Sequence, residues 1–372
     1  MAEPPPAAGP SHRNLGFDLL RGYFLFVIII DHVGSFPSVF QVLTGRGELW
    51  ASAAEGFVFV SGFLVGRLRG RMVARGDLAG AARKLLRRAA LLALWSVGLT
   101  LTFTALGRIT GYEPLLGRGI DLEAPAGVVW RAVTLRYSYG LHDMLPLYAM
   151  CLAASPLVLW AIARGWGWAV AVGSVALWAA SLTTSEPLLP SGPFSTASWQ
   201  VLFFAGVFFG YRSYELRTVW ERIPNRFRTA VVAGAVACTA TTMVASYERL
   251  APIVELPAEP AAGTPAPVRA HPLIFSKPRL GPGRIAIAGL WLFTLYVLVK
   301  RFEPAVLKAL GWLLIPLGQR SLYVYIVQAL LLFWVNGIPT HDPVLASVSG
   351  AAAVAAVWWM IRARFLFGVI PN

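Results

Sequence analysis

Residues 16–34 read GFDLLRGYFLFVIIIDHVG, a stretch long and apolar enough to cross a lipid bilayer as one helix. Further apolar segments follow it, each near the 20 or so residues that a membrane crossing needs. The predicted spans lie near residues 15–34, 49–66, 89–106, 144–163, 167–183, 197–211, 229–245, 284–300, 314–335 and 344–361. The sequence therefore predicts an all-α integral membrane protein, a polytopic bundle of about ten transmembrane helices.

The composition agrees with a membrane protein. Of 372 residues, 57% are hydrophobic and only 13% are charged, whereas soluble chains carry roughly a quarter charged residues. A nucleic-acid-binding protein is excluded despite the net charge of +14, because a basic soluble domain spreads Lys and Arg over a polar face. The two cysteines, Cys151 and Cys238, lie in apolar runs, so a disulfide scaffold is excluded as well.

The distribution of basic residues predicts the orientation. With the N- and C-termini placed in the cytoplasm, the cytoplasmic segments hold 20 Lys and Arg against five Asp and Glu. The opposite loops hold ten of each, so the basic excess follows the positive-inside rule. Residues 1–14 lack signal-peptide features and are expected to form a disordered cytoplasmic tail. Residues 15–363 would form one membrane domain, followed by a C-terminal tail at 364–372.

The first helix carries four ionisable residues, Asp18, Arg21, Asp31 and His32. Such residues are costly in a bilayer and by default indicate a functional site. Asp18 and Arg21 are three apart and can pair on one face. Arg21 and His32 are eleven apart, almost three whole turns, so they share a face at a separation of about 16 Å. One helix face thus has a guanidinium near the cytoplasmic side and an imidazole near the outer side.

These two groups suit a transfer reaction across the membrane. Imidazole is the usual base for a hydroxyl near neutral pH, and guanidinium binds phosphate or carboxylate through two hydrogen bonds. Asp31 lies about 100° round the helix from His32, so it would orient the ring only if the helix were distorted, and it could instead pair elsewhere. The alternative interpretation is that Arg21 only extends to the inner interface and His32 only caps the helix.

The second span contains Glu55 near its outer end, at the expected depth of His32, where it could pair with an imidazolium or simply be solvated. Gly62, Gly66 and Gly70 recur every four residues, a spacing that allows close helix packing.

Three further residues are candidates for substrate binding. His142 and Asp143 open the fourth span at its outer end, although capping by Asp143 explains that position equally well. Arg320 opens the ninth span on the inner side, where it would either contact donor phosphates or act as a positive-inside anchor. No spacing indicates a metal site.

The same residues carry a family resemblance. Arg21-x10-His32 resembles the Arg-x10-His signature of the membrane acyltransferase-3 superfamily, and the surrounding sequence is similar to its OpgC branch. The similar blocks are FDLLRGYFLFVIIIDHVG, AAEGFVFVSGFLVG, HDMLPLY, SWQVLFFAGVFFG and LGQRSLYVY, in that order over about residues 14–335.

The resemblance implies a ten-helix transferase of the inner (plasma) membrane. It would move an acyl group, succinyl in that branch, from cytoplasmic acyl-CoA to a hydroxyl of a periplasmic or cell-surface glycan. His32 would be the general base and Arg21 the donor-side partner, with no bound cofactor. Acetyl transfer and the acceptor glycan stay open, as does an acyl-imidazole intermediate on His32. The alternative is a transporter or flippase for a glycan or anionic substrate, which would place its critical charges near the bilayer midplane.

Overall fold

The computed structural model describes residues 15–35, 37–110, 125–138, 143–184, 187–190, 194–247, 274–336 and 340–370. Within these ranges the regular secondary structure is helical, with no strand. The helices are α1 (Leu15–His32), α2 (Val39–Thr44), α3 (Ala53–Ala74), α4 (Leu78–Thr110), α5 (Pro125–Val133), α6 (Met144–Ala163), α7 (Gly167–Thr183), α8 (Thr196–Tyr211), α9 (Ser213–Arg222), α10 (Asn225–Ser246), α11 (Pro282–Arg301), α12 (Glu303–Gln319), α13 (Ser321–Val335) and α14 (Pro343–Arg362), with a 3-10 turn at Gly45–Gly47.

The predicted membrane character is confirmed for part of the bundle. In the described part of the chain, five helices are each long and apolar enough to cross a bilayer: α4, α6, α10, α11 and α14. The α12–α13 pair makes a sixth crossing if its two halves count as one span. Helix α1 is continuous but contains the charged residues Asp18, Arg21 and Asp31, and α7 and α8 have only 17 and 16 residues. The full count of ten crossings and the orientation of the termini stay predictions.

The ninth predicted span is not one straight helix, which corrects the sequence-based expectation for residues 314–335. Helices α12 and α13 meet at Arg320 with a bend of 89°. Pro316 lies inside the last turn of α12 and has no N–H to donate, so the helix is weakened there. Arg320 leaves helical geometry with φ −115° and ψ 37°, and Ser321 starts a new helix in a different direction.

Helix α1 lies in the centre of the bundle. It packs against α3, α11, α12, α13 and α14, and its residues from Gly16 to Ile30 are mostly buried. Gly22 of α1 touches α12 so closely that a Cβ there would lie 2.0 Å from the Leu314 carbonyl oxygen. The helix that carries Arg21 and His32 is therefore fixed on several sides.

The glycines of the second predicted span confirm close helix packing. A Cβ on Gly62 or Gly66 would lie 2.0 Å from the carbonyl oxygen of Phe203 or Val207 on α8. Gly70 instead faces the ring of Tyr211. Only hydrogen fits at the first two positions, so these glycines bring the backbones of α3 and α8 together.

Candidate functional site

A cavity of about 240 Å³ opens between α1, α3, α4, α6 and α13. Arg21, Arg69, Lys84 and Arg88 line it, and none of its lining residues is acidic. Its remaining wall residues are apolar or carry a hydroxyl group: Phe57, Ser61, Leu64, Val65, Leu68, Leu85, Leu92, Met144, Leu145, Tyr148, Leu152, Phe203, Ser321, Leu322 and Tyr325. We call this space the basic cavity. Because its cations have no facing carboxylate in the wall, the cavity favours an anionic guest.

The basic cavity is elongated along α3. Its wall includes Phe57 near the start of α3 and Arg69 twelve residues later, which corresponds to about 18 Å along the helix axis. Arg69, Lys84 and Arg88 lie together where α3 ends and α4 begins, so they form the basic mouth. Phe57 and Met144 lie near the starts of α3 and α6, at the apolar end.

Arg21 is the residue of the predicted pair that reaches the basic cavity. Its Nη2 donates a hydrogen bond to the hydroxyl of Ser321, the first residue of α13. The bend at Arg320 is what brings the start of α13 to this point. Arg21 thus presents a cation to the cavity interior rather than only extending to an interface.

His32 ends α1 about 16 Å further along the helix axis than Arg21. Its Nδ1 lies 2.6 Å from the Ile28 carbonyl oxygen, so Nδ1 must be the protonated nitrogen when the ring is neutral. The second ring nitrogen, Nε2, then carries the lone pair that a general base needs. The capping role that the sequence analysis gave as the alternative would use Nδ1, and the role of His32 as a base stays a prediction. His32 is half-buried and is not part of the basic cavity wall.

Asn336 fixes the end of α1. Its amide nitrogen Nδ2 donates to the His32 carbonyl oxygen over 3.0 Å, and its Oδ1 accepts from the Gly34 N–H over 2.6 Å. These bonds satisfy backbone groups that a helix end leaves unpaired. Asn336 is a residue that the sequence analysis missed, and it sets the backbone position of His32.

Asp31 pairs away from the His32 ring. It accepts a hydrogen bond from the Thr44 hydroxyl, so the alternative that Asp31 pairs elsewhere is the one observed. Asp31 Oδ2 and the ammonium of Lys277 both lie within 4 Å of the position that a Cβ on Gly47 would take.

Glu55 forms a buried ion pair with Arg284 of α11, and both side chains are 1% exposed. Glu55 also accepts from the backbone N–H and the hydroxyl of Ser52, at 2.9 and 2.7 Å. Arg284 Nη1 donates to the Leu49 carbonyl oxygen over 3.1 Å. The pairing of Glu55 with an imidazolium, considered from the sequence, is thus replaced by a pairing with guanidinium.

Lys277 supplies a second cation at this end of the molecule. Its ammonium donates to the Gly47 carbonyl oxygen over 3.1 Å and interacts electrostatically with Asp31, His32 and Glu55. Desolvation by burial and repulsion from Arg284 lower the pKa of Lys277, while the nearby acids oppose that shift. His32, Asp31, Glu55, Lys277 and Arg284 therefore form one group, which we call the outer cluster.

The segment that carries Lys277 is attached firmly to α7 and α8. Trp199 Nε1 donates to the Lys277 carbonyl oxygen over 3.0 Å, and Trp178 Nε1 donates to that of Leu280 over 2.9 Å. Residues 274–281 are consequently a fixed part of the outer cluster.

The other predicted site residues lie apart from the outer cluster. Asp18 accepts a hydrogen bond from Gln319 Nε2 at 3.4 Å, and its pairing with Arg21 stays a prediction. Asp143 precedes α6 without capping it and accepts a hydrogen bond from Ser138 instead. Arg320 stacks on the Phe367 ring, 4.9 Å from its centroid, and is not a wall residue of the basic cavity. His142 lies outside the described residues.

Sequence reasoning missed most of the cations. Arg69, Lys84 and Arg88 were attributed to topology alone, and Lys277 and Arg284 lie in or next to the Pro-rich segment that was predicted to be an outer loop. One signal for Arg284 was present in the sequence. This arginine lies at the start of a predicted membrane span that is long enough to cross the bilayer without it. Among the described residues, no group of three or more His, Cys, Asp or Glu side chains is placed to bind a metal ion.

Comparison with known proteins gives one finding. The family model described as OpgC protein matches residues 13–367, nearly the whole chain. No curated protein and no solved structure shows significant similarity to this chain.

Proposed function

Since the chain belongs to the OpgC family, we propose that it is a membrane O-acyltransferase. It would move a succinyl or acetyl group from acyl-CoA at the basic cavity to a glycan hydroxyl at the outer cluster. The cavity's four cations without a facing carboxylate are the observation that carries this proposal.

Coenzyme A fits the chemistry of the basic cavity. It has several phosphates at one end and its acyl group at the end of a long, slender arm. Drug-sized ligands fill pockets of roughly 300–1,000 Å³, so a cavity of about 240 Å³ accommodates the arm but not the nucleotide as well. The phosphates would bind at the basic mouth, where Arg and Lys provide charged hydrogen-bond donors.

The proposed reaction begins when His32 Nε2 takes the proton of the acceptor hydroxyl. The hydroxyl oxygen then attacks the thioester carbonyl carbon, a C–O bond forms, and the C–S bond breaks. The proton held on Nε2 passes to the departing sulfur, so free coenzyme A leaves as a thiol. In the second route His32 itself takes the acyl group before the hydroxyl does.

The outer cluster would support this base without replacing it. Glu55 and Arg284 bond to each other, and also to Ser52 and Leu49 respectively. Arg284 Nη2 is buried without a hydrogen-bond partner among the described residues. We assign them a positioning role, because they fix the start of α3 against α11 beside α1. Asp31 would accept a hydrogen bond from the incoming acceptor, and the ammonium of Lys277 would stabilise the oxyanion.

The test uses purified protein in detergent with labelled succinyl-CoA and acetyl-CoA and a glucan acceptor. Thiol release and label transfer are measured for the wild type, His32→Ala and His341→Ala. We expect His32→Ala to lose at least 100-fold in rate, the lower end of general-base contributions. His341→Ala, which removes an exposed imidazole, should retain wild-type activity. Equal rates for all three proteins would exclude His32 as the base.

A second experiment tests the binding of the acyl-CoA donor. Arg21→Ala should raise the acyl-CoA concentration needed for half-maximal rate by 10-fold or more, since hydrogen bonds to charged groups contribute about 1.5–3 kcal/mol. The half-maximal acyl-CoA concentration of Arg21→Lys should lie between those of the wild type and Arg21→Ala, because lysine keeps the charge but loses the second hydrogen bond. If vesicles that contain the wild-type protein take up a glycan and no thiol is released, the protein is a transporter rather than an acyltransferase.

A further inference from the structure

Tyr325 is a buried tyrosine in the wall of the basic cavity, one turn into α13. It is 6% exposed, and its hydroxyl oxygen accepts a hydrogen bond from the Met144 N–H over 3.3 Å. A backbone N–H can only donate, so this contact uses a lone pair of the phenol. The phenolic hydrogen has no acceptor among the described residues. Asp143, next to Met144 in the chain, interacts electrostatically with Tyr325, and it accepts a hydrogen bond from Ser138.

Two neighbouring tyrosines differ in this respect. The Tyr148 hydroxyl, also in the cavity wall, donates to Ser61 Oγ over 3.4 Å. The Tyr323 hydroxyl donates to the Phe365 carbonyl oxygen over 2.7 Å, outside the cavity. Tyr325 alone of these three keeps its hydrogen for a guest in the basic cavity.

The surroundings of Tyr325 indicate which chemical group a ligand must carry to bind there. Phe57, Met144, Leu145 and Leu152 make this part of the wall apolar. A polar group that enters such a region pays a desolvation cost unless it finds a hydrogen-bond partner. The arm of coenzyme A carries two amide groups between its phosphates and its sulfur, and their carbonyl oxygens are strong acceptors.

We propose that Tyr325 donates its phenolic hydrogen to an amide carbonyl oxygen of the coenzyme A arm. This inference rests on the proposed function and adds to it a contact that recognises the arm itself rather than the phosphates or the acyl group. Tyr325 would thereby set how far the arm enters the cavity.

The test measures binding of coenzyme A and of adenosine 3′,5′-bisphosphate, which lacks the arm, to purified full-length protein by calorimetry. Tyr325→Phe removes only the hydroxyl, and Tyr323→Phe is the matched control on the same helix. We expect Tyr325→Phe to weaken coenzyme A binding about three- to tenfold, as the loss of one neutral hydrogen bond does. Its affinity for the bisphosphate should equal that of the wild type, and Tyr323→Phe should leave both affinities unchanged.

Three results would overturn the inference in distinguishable ways. Equal coenzyme A affinity for Tyr325→Phe and wild type would exclude the hydrogen bond while leaving the proposed function intact. Equal weakening of both ligands would indicate a distorted cavity rather than a lost contact with the arm. A wild-type protein that binds neither ligand would exclude the donor itself, and with it the proposed function.

Discussion

Arg284 is 1% exposed, and in the described part of the chain the carboxylate of Glu55 is the one acid that pairs with it. Removing one partner of a buried ion pair leaves the other charge uncompensated, whereas removing both charges together is far less costly. The same end of the molecule contains Lys277, whose lowered pKa reflects desolvation and the nearness of Arg284. Arg284 therefore has two electrostatic partners at this end of the molecule: Glu55, which pairs with it, and Lys277, which it repels.

The ion pair gives the first stability prediction. Arg284→Met should lower the free energy of unfolding by about 3–5 kcal/mol because Glu55 is left charged and buried. The double variant Glu55→Gln with Arg284→Met should regain most of that loss. Thermal unfolding in detergent, followed by intrinsic tryptophan fluorescence, measures both.

The matched control is Arg217→Met. Arg217 pairs with Glu221 at 2.7 Å, but the two side chains are 77% and 53% exposed, and exposed pairs contribute only about 0–1 kcal/mol. If Arg284→Met unfolds at the same temperature as Arg217→Met, the buried pair does not stabilise the fold.

At the residue scale, the sequence predicted a shared face for Arg21 and His32 from their eleven-residue spacing, and the roles of both residues stay predictions. It also predicted that Glu55 lies at the depth of His32, and in the structure Lys277 interacts electrostatically with both. The sequence was insufficient for partners distant in the chain, since Arg284 follows Glu55 by 229 residues. The cations of the basic mouth were also hidden, because the positive-inside rule already accounts for basic residues at that end.

The elements themselves were more predictable than their contacts. Nine of the ten predicted segments each lie mainly within one helix, and the segment at 314–335 is divided between α12 and α13. Apolar runs of this length form helices because only helix formation satisfies their backbone in a membrane. The break at Arg320 was not predicted, since the apolar pattern continues across it and only Pro316 indicates a weak point. The pairing of α3 with α8 was also hidden, although the glycine spacing on α3 showed that some helix would approach closely.

Because α3 packs closely on α8, we predict that a methyl group added at either contact glycine destabilises the protein. Gly62→Ala or Gly66→Ala would place a Cβ 2.0 Å from a carbonyl oxygen of α8, so the two helices must move apart. We expect a loss of about 1–3 kcal/mol, the usual cost of overpacking, seen as a lower unfolding temperature in detergent.

Gly98→Ala on α4 is the comparison for this experiment, because a Cβ there meets nothing within 4 Å. Alanine is also the better helix former, so Gly98→Ala should be neutral or slightly stabilising. Equal behaviour of the three variants would contradict the packing described for α3 and α8.

For the molecule as a whole, the orientation in the membrane is the outstanding prediction. Five or six helices of the described chain qualify as crossings by length and composition. The basic mouth and the outer cluster lie at opposite ends of α1, which places donor and acceptor chemistry on opposite sides if α1 spans the bilayer. The charge asymmetry of the loops predicts that the basic mouth faces the cytoplasm.

Cysteine labelling in intact cells tests this orientation. In a background with Cys151→Ala and Cys238→Ala, Arg75→Cys between α3 and α4 should resist a membrane-impermeant maleimide until the cells are opened. His341→Cys before α14 should react from outside. Both positions are exposed, so accessibility itself is not limiting. Reaction at position 75 in sealed cells would reverse the predicted topology.

Under the proposed function, the unbroken run of α1 between Arg21 and His32 has a consequence for which thioesters would serve as donors. No proline lies between the two residues, so the proposed donor contact at Arg21 and the proposed base at His32 cannot adjust their separation. A carrier whose arm is too short to extend from the basic mouth past Arg21 to His32 would bind at the mouth and fail to present its acyl group at the base. The protein would then choose its donor by the length of the carrier as well as by the acyl group.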